Sequence, residues 1–367
     1  MNVFQMAQDV WAANEKVIHT TIDLGQSMFN KMTDIVGLTP KQQAVIPAAP
    51  PIQITTTTTN RWLQMKNVIV VGIVGLGVYY IYRRFRRQAH NTFVPYVERF
   101  EADMVYVFQF PRTFALPNLS PYALKLETWL RFADINYKVV EDLSFWHRSS
   151  EGTLPYVELN GEEIVDSANI IDVLPMKLKR KSTEAHLTVE QKATVRAFDT
   201  MIEMSLNYCT AKFRYERVSE MLQLVPPHFG ALQPIINLLL RFFLPSMAAK
   251  KIRSVGIGKH SDALIEKISF SDLQALSDQL GSQHYLTGVK PCRADATAFA
   301  ALALILYVPF NTPQRGYINE HTPNLRDYCD RIRNRYWPDW VECTALLKNN
   351  TDWKRRRPAS RAPSSVY

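Results

Sequence analysis

The chain has 367 residues, 47% hydrophobic and 21% charged, which excludes a disordered polymer and leaves room for more than one domain at about 100–200 residues each. The net charge of +9 gathers in two knots, Arg83, Arg84, Arg86 and Arg87 beside an apolar run and Lys354 to Arg361 in a tail, so it does not read as a nucleic-acid surface and no nucleic-acid partner is expected. Cys209, Cys292, Cys329 and Cys343 stand far apart without a C-x-x-C pair and do not read as a zinc site or a disulfide framework; reduced thiols in a cytosol-facing domain and no bound metal are expected.

Residues 1–37 carry a helical repeat, with Phe4, Trp11, Ile18 and Met32 on a seven-residue spacing that Gly25 interrupts, and Gly37 at its end. An amphipathic helix for a surface or a protein partner is one reading. Local packing or packing on a second copy is the other. Acidic residues and the lack of a continuous apolar core exclude a secretory signal. Residues 38–61 form a Pro/Thr-rich linker. Val68 to Tyr82 is uncharged and apolar, and counting from Trp62 it reaches the ~20 residues a membrane span needs. A single transmembrane helix is therefore predicted over 62–82, with the lipid membrane as partner. The arginines after it orient the C-terminal side toward the cytosol. Residues 83–103 read as a basic linker.

Residues 104–178 read as one α/β unit. Met104 to Phe110 is a strand. Ser120 and Pro121 supply the N-cap and first residue of a helix whose buried face holds Tyr122, Leu126, Trp129 and Leu130. Asn136 to Glu141 is the next strand, followed by a loop through Trp146 and His147. Tyr156 to Leu159 and Glu163 to Val165 flank Asn160-Gly161, a strong hairpin signal. Asp166-Ser167 then caps a helix with Ile170, Ile171 and Leu174 on its inner face. Pro155 opens the strand at Tyr156. Residues 188–347 are helical, with breaks expected near Pro226, Pro245 and Gly256. Ala296 to Phe310 reads as a buried helix, preceded by Cys292 and Asp295 at capping positions. Leu238 to Leu244, carrying Arg241, reads either as core or as leaning on a bilayer. Residues 351–367 read as a disordered basic tail.

The block LPYVELNGEEIVDSANIIDVL (Leu154 to Leu174), the segment LSPYALKLETWLRFADINYKV (Leu119 to Val139), FQFPR (Phe108 to Arg112) and HYLTGVKPCRAD (His284 to Asp295) together resemble the glutathione transferase superfamily. They are most similar to the failed-axon-connections family, which includes the nematode cadmium-responsive proteins and is related to the metaxins. The resemblance implies an α+β fold: a thioredoxin-like N-terminal domain plus an all-α glutathione-transferase C-terminal domain, preceded here by the transmembrane helix. It implies glutathione as ligand, with a cis Pro155, Leu154 backbone on the cysteinyl part, and Asp166 and Ser167 on the γ-glutamyl part. Ser120 would be the catalytic hydroxyl that favours thiolate, and Arg112 would meet the glycyl carboxylate. Read from the residues alone, Ser120 and Ser167 are helix caps. The resemblance implies three functions. The first is a binding or scaffold module facing the cytosol. The second is an active glutathione transferase or peroxidase of serine type. The third is a metaxin-like import or tethering component of an organelle membrane (mitochondrial outer membrane, endoplasmic reticulum or lysosome). A homodimer is a further expectation.

Overall fold

The computed structural model describes residues 95–141 and 149–356. Strand β1 (Val105–Gln109) pairs parallel with β2 (Tyr137–Glu141) and antiparallel with β3 (Tyr156–Leu159), which pairs antiparallel with β4 (Glu162–Val165). The order across the sheet is β2-β1-β3-β4. Every residue of β1 is buried, because both faces of this central strand are covered. The β3–β4 turn is built by Asn160 and Gly161, both at positive φ (51° and 84°), the backbone a type I′ hairpin needs.

Helix α1 (Pro121–Phe132) connects β1 to β2, and α2 (Ser167–Lys177) comes after β4. Both lie on one face of the sheet, where Leu126, Trp129 and Leu130 meet Val105, Val107, Val157, Ile170 and Leu174. On the other face Phe108 and Tyr156 stack at 4.4 Å between ring centroids. The end of the predicted basic linker covers this face: the N–H groups of Tyr96 and Val97 donate to the Glu158 carboxylate at 2.9 and 3.1 Å.

The helical part comprises α3 (Val189–Met201), α4 (Asn207–Glu216), α5 (Val218–Gln223), α6 (Gln233–Ser254), α7 (Asp262–Leu280), α8 (Arg293–Leu306), α9 (Pro313–His321), α10 (Pro323–Tyr336), α11 (Trp340–Thr344) and α12 (Trp353–Arg356). A π turn, Ile202–Leu206, joins α3 to α4. All residues of α8 are buried, and its many alanines let α1, α3 and α10 approach closely. Asp295 fixes the start of α8, accepting from the N–H groups of Leu286 (2.9 Å) and Cys292 (2.8 Å) and from the Tyr328 hydroxyl (2.7 Å). The Cys292 thiol lies 3.1 Å from the same carboxylate.

The two parts are joined by a buried charge network on α1. Glu127 accepts two bonds from the Arg112 guanidinium (2.7 and 2.8 Å), one from Gln109 (2.8 Å) and one from the Tyr137 hydroxyl (3.0 Å). One turn on, Arg131 donates to Asp339 (2.9 Å) and to the Tyr336 carbonyl (2.9 Å), and its guanidinium stacks 3.6 Å from the Trp337 ring centroid. The Thr351 hydroxyl donates to Asp339 from the chain's C-terminal side. Two cations and two anions are thus enclosed together, all nearly inaccessible to water.

Three expectations are corrected here. The fold has the thioredoxin-like and helical parts, but the preceding transmembrane helix is not supported: among the described residues no helix is long and apolar enough to cross a membrane. The predicted span, 62–82, lies outside the described residues, as do 1–61 and the loop through Trp146 and His147. The longest described helix, α6, carries Arg241, Lys250, Lys251 and Arg253, and the apolar α8 is too short and wholly enclosed by protein. Pro245 does not break α6; the helix runs through it. The predicted disordered tail begins in ordered structure, because α12 buries Trp353 near Arg131, while residues 357–367 lie outside the described ones.

The network gives a pH signature. Burial pulls Asp339 upward, but the hydrogen bonds and charge of Arg131, with Thr351 and Cys343, outweigh it and hold the carboxyl at about 2. Burial likewise raises Glu127, and Arg112, Arg131 and Gln109 together bring it below its usual range. A carboxyl whose folded pKa is depressed adds stability above its unfolded pKa of about 4, and loses that contribution as pH falls through the folded value. Urea unfolding at stepped pH is expected to show a loss on the order of 2 kcal/mol from Asp339 alone between about pH 4 and pH 2. Asp339→Asn should flatten that window. Arg131→Met leaves two carboxylates underpaired and should cost about 3–5 kcal/mol at neutral pH.

Candidate functional site

The row Phe108–Tyr156–Val165 runs across β1, β3 and β4, so the segments after Gln109, before Tyr156 and after Val165 meet at one end of the sheet. These segments are the loop into α1, the Leu154–Pro155 pair and the Asp166–Ser167 turn. The register thereby brings Ser120, Leu154, Pro155, Asp166 and Ser167 to the same edge.

Each has a local cause. The Leu154–Pro155 peptide is cis. The Leu154 N–H and C=O take no hydrogen-bond partner among the described residues, so this half-buried backbone edge remains open. Asp166 is exposed at φ 66°, a conformation uncommon for a residue with a side chain. Its carboxylate accepts from the N–H groups of Ala168 (2.9 Å) and Asn169 (3.1 Å), which compensates part of that strain. Ser167 is the first residue of α2 and is buried. Its hydroxyl has no hydrogen-bond partner among the described residues.

Ser120 is half-buried at the N-cap of α1, where its Oγ accepts from the Ala123 N–H at a long 3.4 Å. Its own N–H donates to Asn118 (2.8 Å), whose side-chain amide donates to the Phe110 carbonyl (2.8 Å). Asn118, a buried residue, thus sets the loop that carries Ser120.

Arg112 is not at this edge. All five guanidinium N–H groups are used: two on Glu127 and the others on the carbonyls of Lys348, Pro117 and Asn349. A glycyl carboxylate has nothing left to meet there, so that expectation is corrected.

Charged side chains that the sequence does not single out lie deeper. Lys125 on α1 is buried and pairs with Asp199 (3.1 Å) and with Glu203 on the π turn (2.9 Å). Asp199 also accepts from the Thr297 hydroxyl and faces Arg293 at 3.5 Å. Arg293 reaches back to Asp172 on α2 at 2.6 Å and to the Ala168 carbonyl at 3.4 Å. The helical domain therefore grips α2 one turn beyond Asp166. Burial raises the Tyr122 phenol, helped by Tyr208, Glu203 and, at longer range, Asp166. Burial lowers Arg214, which has no carboxylate partner among the described residues. One cue is available in the sequence: Lys125 and Glu127 interrupt the apolar face of a helix that also carries Leu124, Leu126, Trp129 and Leu130, so no face of α1 is free to be purely polar.

An open groove of about 530 Å³ lies elsewhere, along α7 and α9, lined by Glu266, Lys267, Phe270, Gln274, Asp278 and Tyr317. It contains none of the site residues. Three of its polar groups bond to one another, Gln274 donating to Asp278 and Tyr317 to Gln274.

Residues 121–221 match a family model described as glutathione S-transferase N-terminal domain, and residues 270–332 match glutathione S-transferase, C-terminal domain. Failed axon connections of Drosophila melanogaster is 37% identical over 264 residues, covering 68% of this chain and 62% of that protein. The chain belongs to the metaxin-related glutathione-transferase-like superfamily. It spans less than two thirds of the failed axon connections protein. Metaxin-2 of Mus musculus is 23% identical over 220 residues, covering 59% of this chain and 82% of the metaxin. Isoprene-epoxide–glutathione S-transferase of Rhodococcus sp. (strain AD45) is 28% identical over 240 residues, covering 64% and 99% respectively.

Arg112 distinguishes a structural from a ligand-binding reading. Arg112→Met strands the Glu127 carboxylate in the interior and should lower unfolding free energy by about 3–5 kcal/mol. A side chain serving only to meet a ligand would leave thermal unfolding in the absence of ligand unchanged, so differential scanning calorimetry without ligand decides the matter.

Proposed function

We propose that the chain is a glutathione-transferase-like binding module that holds glutathione at the sheet end and serves partners on an organelle surface. The observation that carries this reading is the Asp166–Ser167 turn. A strained backbone there presents an uncommitted hydroxyl, on a residue otherwise buried, and a carboxylate, groups suited to the carboxylate and ammonium of a γ-glutamyl end. The open backbone of Leu154 beside it suits the peptide unit of the cysteinyl part. Glutathione transferase family models over both parts of the chain support the ligand class. The relationship to the metaxins supports protein partners and a membrane location, with the mitochondrial outer membrane the organelle surface we favour.

In this reading glutathione is bound through its backbone ends. Leu154 pairs with the peptide, Ser167 donates to the carboxylate, and Asp166 accepts from the ammonium. The loop held by Asn118 sets how close the thiol comes to α1. A second reading, glutathione transfer or peroxide reduction, rests on Ser120. Its Oγ accepts only one long bond from Ala123, and its proton has no acceptor among the described residues, so it is free to donate to a thiolate. The N-terminus of α1 favours the same anion. A hydroxyl acting on sulfur alone would promote chemistry without adding much affinity.

Titration calorimetry of the full chain with glutathione tests both. Ser167→Ala should weaken binding by about 1–3 kcal/mol, the cost of an unmade bond to a charged group. Ser120→Ala should leave affinity nearly unchanged and abolish any glutathione-dependent turnover. No heat at millimolar glutathione would remove the binding reading, leaving Ser120 as a helix cap and Ser167 as the first residue of a helix capped by Asp166.

A further inference from the structure

Helix α6 is the least protected element among the described residues. Of its 22 residues only Ile252 is buried. Ile235, Leu238, Leu239, Phe242, Phe243 and Met247 are 42–68% exposed, and they recur at the three- and four-residue steps that share one side of a helix. A contiguous apolar face of this kind marks a contact surface. The helix lies against α4 and α5 with its opposite side, so the apolar face points away from the fold.

The charge around this face is one-sided. From Met221 to Ser261 the sequence has no aspartate or glutamate, and it carries Arg241, Lys250, Lys251, Arg253 and Lys259. Lys250 stands seven residues after Phe243 and Arg253 eleven after Phe242, so both continue the apolar stripe onto the last turn. A second copy packed on this face brings no acidic side chain of the strip to meet these cations. An anionic bilayer surface complements it along its whole length: the apolar side chains enter the acyl boundary and the cations meet phosphate. Pro245 agrees with a helix lying on the surface. It cannot donate to the Arg241 carbonyl, and that orphaned acceptor is hydrated at an interface but not in the hydrocarbon.

We infer that α6 is a surface-lying membrane helix that docks the domain on anionic lipid. This rests on the exposure and charge of α6, not on the glutathione site, so the two readings stand or fall separately. The described cysteines are all buried, so a nitroxide can be placed selectively on the full chain at Phe242→Cys or Met247→Cys, with Lys267→Cys on α7 as the aqueous control. With phosphatidylcholine vesicles containing phosphatidylserine, labels at 242 and 247 should become accessible to oxygen and shielded from a water-soluble nickel reagent, while 267 stays aqueous. Combining Lys250→Glu and Arg253→Glu, and leaving Lys251 on the Tyr122 and Tyr208 rings that it faces inside the fold, should weaken this local insertion roughly thirtyfold, even where other segments hold the chain on the vesicle. Labels that stay aqueous on bound protein would overturn the proposal. So would insertion that is equal on pure phosphatidylcholine or indifferent to the charge reversals. Immobilisation without lipid would also overturn it, with spin–spin broadening pointing to a second copy and its absence to another part of the chain.

Discussion

Glu127 sits at the middle of α1 with an arginine on either side, and the joint between the two parts of the protein is built around it. An isolated carboxylate in that position would be expelled from the fold or protonated. Arg112 from the loop after β1 and Arg131 from the next turn of the same helix make it tolerable. Arg131 then needs its own anion, which Asp339 supplies from beyond α10. Asp339 in turn draws in Thr351, and Trp353 closes over the group. A chain of electrostatic necessity thus runs from the sheet, through the first crossover helix, to the C-terminal segment.

The Lys125–Asp199–Arg293 group acts in the same way on the opposite flank of α1. It ties α1 to α3 and the start of α8, and Arg293 extends the tie to α2. Because α2 begins with the Asp166–Ser167 turn, the geometry of that turn is set from two directions: by the β4 register before it and by a guanidinium of the helical domain after it. The π turn has a part here too. It places Glu203 on Lys125 while Ser205 donates to Asp272 on α7. The candidate site therefore rests on side chains that do not line it.

Local signals in the sequence are strong where one residue type has few alternatives. Asn160-Gly161 marks the hairpin, Ser120-Pro121 the start of α1, and Asp166 and Asp295 the starts of α2 and α8. The buried ions are only half legible: Lys125 on one side of the helix and Glu127 and Arg131 on the other interrupt its apolar residues, but their partners Asp199 and Asp339 lie far along the chain and only the tertiary fold brings them together. Arg112 misleads for the same reason: a motif places an arginine near a site, but its direction depends on a carboxylate fifteen residues later in the sequence. Pro245 misleads because a proline is an interior breaker by rule, whereas a helix supported along one side can carry one. Trp353 lies in a stretch whose basic composition conceals a single anchoring ring.

The four thiols give the domain a property of its own in a glutathione-rich compartment. Burial pushes Cys209, Cys329 and Cys343 up to about 12 and Cys292 well above the ordinary range, so almost none is thiolate at neutral pH. Exchange with glutathione disulfide needs both a thiolate and a path to it, and the folded domain offers neither. Three of the four lie in one hydrophobic core, around α8, α10 and α11. Any mixed disulfide found on them is therefore a record that this core has opened, and the chain carries within itself a chemical memory of its own unfolding.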